Sequence, residues 1–146
     1  MTDRFEWVDY AIDDPPVATL DEVRRVEEEI GYKLPADFIE VARHHQGQFP
    51  MPGGHHADGN GSSVGGLYHF HGEFGSGRLG WGDFINEGAD SLLLAFCRDA
   101  GGNFFAFDYG KDPQKKNPIV VFWDHETRVV TKLADSFTDF LDQLTD

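Results

Sequence analysis

Ser91 to Leu133, SLLLAFCRDAGGNFFAFDYGKDPQKKNPIVVFWDHETRVVTKL, carries most of the chain's contiguous apolar residues, and its reading decides the fold. Leu92 to Phe96 is a short apolar run, closed by Asp99-Ala100-Gly101-Gly102, where the glycines can take positive φ without a Cβ clash. Asn103 to Asp108 is a second run and Ile119 to Trp123 a third. In a fourth, Val129, Thr131 and Leu133 alternate with Arg128, Val130 and Lys132, so that strand is wet on one face. Such alternation belongs to an antiparallel sheet with one covered side.

Downstream, Ser136 is a good N-cap, and Phe137, Phe140, Leu141 and Leu144 recur at i, i+3, i+4 and i+7. This predicts a short amphipathic helix lying on the sheet. Upstream, Thr19 and Glu22 have the S/T-x-x-E form of a capping box, and Leu20, Val23, Val26 and Ile30 fall on one helical face. The helix should run from about Leu20 to Ile30, with Gly31 as its left-handed terminator. A second helix is expected over 35 to 45: Pro35 suits its first turn, Asp37 its positive end, and Phe38, Val41, Ala42 and His45 its buried face. The strand-like spacing of Phe5 and Trp7 fits an edge strand or an extended arm, and Pro15-Pro16 stop any helix there. Trp81 to Ala89 reads as a turn or a single helical turn leading into the first core strand.

From about 50 to 82 the composition shifts to glycine and histidine without periodicity, which predicts a loop insert, with a short strand or hairpin arm over Val64 to His71. The flanking halves each look too small to bury their own apolar faces. The expectation is therefore an α+β domain spanning 1–146: a mainly antiparallel sheet within 91–133, two N-terminal helices and a short C-terminal helix. At 146 residues, burial of roughly two thirds of the unfolded surface supports one core without staples.

The 26 acidic residues against 12 basic ones leave a net charge of −14, which opposes binding to a phosphate backbone and suits a basic protein partner. Cys97 has no partner for an internal disulfide and ends an apolar strand, which makes it core filler and fits a reducing compartment. No basic region followed by an apolar leader opens the sequence, and no apolar run approaches the ~20 residues a membrane span requires. A cytoplasmic protein with no membrane contact is the expectation.

Six of the seven histidines are paired, as His44-His45, His55-His56 and His69-x-His71. On a strand His69 and His71 would point the same way, making them candidate metal ligands, but no H-E-x-x-H and no second cysteine completes a site. His55-His56 reads as polar loop. Neither a phosphate-binding glycine loop nor a G-x-S-x-G elbow is present, so no cofactor and no catalysis are expected. Asp99, Asp108, Tyr109, Trp123, Asp124, His125 and Glu126 cluster at the turns of the core stretch. Turn chemistry accounts for each singly; together they make an acidic contact surface with aromatic anchors.

Several of these motifs, taken in order, are familiar. Pro15-Pro16, then Glu28-Glu29-Ile30-Gly31, then Lys33-Leu34-Pro35-Ala36-Asp37-Phe38 resemble the opening of the SUKH superfamily, in its Smi/Knr branch. Asp99-Ala100-Gly101-Gly102-Asn103, Phe107-Asp108, Val121-Phe122-Trp123-Asp124-His125-Glu126 and Ala134-Asp135-Ser136-Phe137 with Phe140-Leu141 resemble its second half. Two departures stand out: His45-Gln46-Gly47-Gln48 replaces the usual Asn-Gly-Gly, and the insert that follows is longer than usual. The resemblance implies a helix-flanked antiparallel sheet. It also implies a non-enzymatic interaction domain, either an immunity protein that neutralises a toxin, often a nuclease, or a regulatory module like the fungal cell-wall assembly regulators.

Overall fold

The computed structural model describes residues 4–10, 12–55, 62–70, 78–79, 84–85 and 92–145. In chain order its elements are β1 (Glu6–Asp9), α1 (Leu20–Ile30), α2 (Ala36–His44), β2 (Gln48–Met51), β3 (Gly54–His55), β4 (Ser62–Ser63), β5 (Phe84–Ile85), β6 (Leu93–Arg98), β7 (Phe104–Asp108), β8 (Ile119–Trp123), β9 (Val130–Ala134) and α3 (Phe137–Asp142). Strands β5 to β9 form an antiparallel sheet in sequence order. The apolar runs of 91–133 supply β6 to β8, as predicted, and the alternating stretch after them supplies β9.

The helices form where their end signals stand. Thr19 Oγ1 accepts from the Glu22 amide at 3.0 Å while the Glu22 carboxylate accepts from the Thr19 amide at 3.0 Å, closing the capping box of α1. Gly31 ends α1 at φ +80°, its amide reaching Glu27 O at 2.9 Å. Pro35 sits at the N-cap of α2 rather than inside its first turn. Ser136 caps α3 through the Asp139 amide, and Asp37 of α2 accepts from the Thr138 amide at 2.9 Å, tying the two helix starts together. Arg4 donates to the carbonyls of Leu141 and Leu144 at the other end of α3, where a cation is favoured.

One face of the sheet carries the main core. Phe38 of α2 meets Phe70, Phe96, Phe107 and Phe137 with ring centroids 5.1 to 6.5 Å apart, and Phe140 of α3 packs on Phe96 and Phe105. The opposite face carries a smaller cluster in which Leu93, Ala106 and Val121 are buried beneath half-buried Phe104, Ile119 and Trp123.

Four expectations are corrected. Leu20, placed on the buried stripe of α1, is exposed; Val23 and Val26 alone are fully buried there. β9 is wet on both faces over most of its length: Val130, Thr131 and Lys132 are exposed, and Val129 lies outside the strand, because β9 is an edge that α3 covers only near Leu133 and Ala134. The stretch 62–70 is built into the core rather than looped out. Gly47 N donates to Leu67 O, Leu67 N to Gln48 O, Tyr68 N to Phe96 O and Gly65 N to Arg98 O, and Val64, Leu67, Tyr68 and Phe70 are buried. Finally, His55 is no polar loop residue: it is buried, stacks on Phe140 at 5.5 Å and donates through Nε2 to Gln143 Oε1 at 2.7 Å. The residues around Phe5 and Trp7 form β1, paired antiparallel with β2. The turn expected over 81–89 lies outside the described residues except for Phe84–Ile85, which form β5.

Candidate functional site

The β6–β7 and β8–β9 turns lie at the same end of the sheet, because β7 and β8 pair Phe104 with Trp123. The first turn is organised by Asp99. Its carboxylate accepts from the amides of Gly101 and Asn103, both at 2.9 Å, and from Asn103 Nδ2 at 3.0 Å. Gly102 takes φ +88° there, a conformation that excludes most side chains. Asn103 then reaches across to the second turn, its Oδ1 accepting from His125 N at 3.0 Å and from His125 Nδ1 at 2.7 Å. In that second turn Asp124 Oδ1 accepts from the amides of Glu126 and Thr127 at 2.8 and 3.1 Å. These backbone hydrogen bonds hold the Asp124 carboxyl below the usual carboxylate range, since they favour its ionised form.

Of the seven candidate contact residues, Asp99, Trp123, Asp124, His125 and Glu126 are therefore brought together, but not all are presented outward. Asp99 is 9% exposed and its oxygens serve the turn. His125 and Glu126 are exposed, and Trp123 is half-buried. Asp108 and Tyr109 stand at the opposite end of β7. Asp108 accepts from the Gly110 amide at 2.8 Å. Tyr109 is no exposed anchor: it is buried against Tyr32, ring centroids 5.0 Å apart, and donates its hydroxyl to Lys33 O at 2.7 Å. Burial, then the Glu27 charge, push its phenol well above the ordinary value. A turn position favours polar residues, but the chain returns here under the loop after α1, which supplies Tyr109 with an apolar bed and a carbonyl.

The pairing register creates a row that no linear motif announces. On the outer face Arg98, Phe104, Trp123 and Val130 are successive cross-strand neighbours. The Arg98 guanidinium lies 5.5 Å from the Phe104 ring centroid, and the Phe104 and Trp123 rings are 5.5 Å apart. Around the edge from Arg98 opens a cleft of about 450 Å³, walled by Tyr10 and Phe49 on one side and by residues 63–68 and the start of the β6–β7 turn on the other. Tyr10 is 72% exposed although it sits edge-on to Phe49 at 6.0 Å. The row and the cleft escaped sequence reasoning because both depend on long-range pairing.

His69 is buried and forms a β-bridge with Arg78, whose guanidinium meets Glu29 at 2.9 Å; His71 lies outside the described residues. Among the described residues there is no group of three or more His, Cys, Asp or Glu able to hold a metal ion. Cys97 is fully buried, and burial raises its thiol well above the ordinary value. No helix among the described residues is long and apolar enough to cross a membrane.

No curated protein and no solved structure matches the chain. A family model does, over residues 17–143, from the approach to α1 through α3. With the sheet, the helix pair before it and the closing helix all inside that match, the chain belongs to the SMI1/KNR4 family (SUKH-1).

Proposed function

We propose that this chain is a stoichiometric binding protein of the immunity type, which occupies a basic toxin domain, a nuclease being the candidate class, and thereby neutralises it without chemistry of its own. The observation that carries this reading is the pairing of a net charge of −14 with exposed aromatic surface, at Tyr10 beside the cleft and at half-buried Trp123 beside His125 and Glu126. A surface of that kind attracts Lys- and Arg-rich partners over distance and then anchors them through rings. The alternative within the same family is a regulatory interaction module, which would hold a stable endogenous partner that is not a toxin.

Co-expression tests the proposal. A basic nuclease toxin domain, taken from the genes adjoining this one if one is encoded there, is expressed with and without the chain, and growth should be restored once the chain reaches a one-to-one ratio. Unchanged toxicity, with both proteins present and folded, would overturn it. Stopped-flow association of the purified pair then probes charge. Glu126→Lys is the informative change at the sheet end, because Glu126 is exposed whereas the Asp124 carboxylate holds its own turn together. The reversal should slow association at low salt and flatten its salt dependence.

A further inference from the structure

The wall of the cleft over residues 63–68 is pinned to two separate strands. Gly65 N donates to Arg98 O at 2.9 Å and Tyr68 N to Phe96 O at 2.8 Å, which fix it to β6, while Leu67 N donates to Gln48 O at 2.9 Å, which fixes it to β2. Two glycines make the attachment close. A Cβ at Gly65 would stand 2.5 Å from Arg98 O, and one at Gly66 would stand 3.1 Å from Tyr10 Cδ2 and 3.2 Å from Gly47 O. The wall there is bare backbone held by hydrogen bonds, so the cleft is formed before anything enters it. Its volume of about 450 Å³ falls within the roughly 300–1,000 Å³ of sites that hold whole small molecules.

The lining decides what kind of molecule that is. Tyr10, Phe49 and Tyr68 contribute rings, Val64 and Leu67 aliphatic groups, and exposed Ser63 a hydroxyl. Only two charged residues belong to it, Arg98 and Asp99, adjacent in the chain and opposite in sign. Each is engaged. Arg98 donates through Nε to the Tyr68 hydroxyl at 3.3 Å and lies over the Phe104 ring, while the Asp99 carboxylate accepts from the amides of Gly101 and Asn103. A ligand of either sign would meet one like charge for each unlike one, and would give up hydration on entering an apolar cleft. The net charge of −14 weighs further against an anion.

We infer that the cleft lined by Tyr10, Phe49 and Gly65-Gly66 is a binding site for a small neutral aromatic molecule, of one or two fused rings, with a single N–H or O–H group for the Ser63 hydroxyl to accept. The site takes a free ligand and is independent of which protein the chain binds.

Three probes share one ring system and differ in charge: indole, indole-3-acetate and tryptamine. Each is titrated into the ¹⁵N-labelled chain at about 0.15 M salt, where a screening length of about 8 Å leaves the lining charges in play and mutes the distant ones. Indole should give saturable amide shifts at Gly65, Gly66 and Ala100, and should bind several-fold more tightly than either charged probe. Tyr10→Ala should weaken it several-fold while leaving the rest of the spectrum in place, since that ring is 72% exposed and its loss spares the core. A fourth probe, N-acetyl-tryptophan amide, carries the same ring on a neutral backbone. Tighter binding of this probe than of indole would assign the cleft to a protein side chain and overturn the small-molecule inference. A charged probe that matches indole, shifts scattered elsewhere, an unchanged affinity in Tyr10→Ala, or no shift at millimolar indole would each overturn it as well. Since the titration needs no toxin, its failure sinks the cleft alone, whereas failed growth rescue sinks the immunity reading alone.

Discussion

Gln46 shows how much one side chain can hold in a chain with little regular structure around it. It is fully buried, donating through Nε2 to Pro16 O at 2.7 Å and accepting the Phe70 amide on Oε1 at 3.1 Å. It thus fastens the segment before α1 and the arm after β4 to the end of α2. Gln46→Leu should cost about 1–3 kcal/mol, chiefly by leaving the buried Phe70 amide unpaired, and urea unfolding measures this directly. Asp124 acts on a smaller scale. Its folded carboxyl titrates below the unfolded value of about 3.9, so its stabilisation is fully present above that pH and is lost as the pH falls through the lower folded value. A ¹³C titration should place Asp124 below free aspartate, and amide shifts of Glu126 and Thr127 should follow the same midpoint; midpoints at the free value would dismiss the turn bonds. Gln46 and the burial of Tyr109 were illegible in sequence for one reason. Each depends on which distant carbonyl lies within reach, and neither Gln at a helix end nor Tyr at a turn carries that in its local pattern.

Among the elements, those with complete local instructions are the ones the sequence declares. α1 has its box, its terminator and buried valines a turn apart, and it begins and ends where those signals stand. Thr19→Ala should cost about 1 kcal/mol in urea unfolding and Thr19→Ser close to nothing, since serine keeps the oxygen that accepts the Glu22 amide. The strands of 91–133 were equally legible from their apolar runs, and the closing helix from its cap and stripe. The stretch 62–70 was not. Its apolar residues have neither period, and they are held by hydrogen bonds to β6 and to the turn after α2, so it becomes structured only once those exist. The same dependence hid the candidate site. Trp123, His125 and Glu126 are legible as a turn cluster, but the tie through Asn103 and the cleft beside Tyr10 arise from register between strands far apart in the chain.

At the scale of the whole molecule, stability is concentrated where both layers meet. Phe38→Ala would open a cavity among Phe70, Phe96, Phe107 and Phe137 and should cost about 3–5 kcal/mol, enough to lower the urea midpoint sharply while Tyr10→Ala leaves it nearly in place. The ring cluster lies under the helices, whereas the Tyr10 ring is largely exposed, which is why its truncation spares the core. The lone thiol extends this separation into a means of timing. Cys97 is fully buried in β6, between the cluster and the strand residue Arg98 that borders the cleft, and its thiol resists ionisation. Ellman's reagent should therefore react only during the excursions that lift β6 from its neighbours, and the colour should develop at a pace set by how often those excursions occur. Phe38→Ala should quicken it many-fold. The native cysteine is thus a built-in clock for the opening of the sheet.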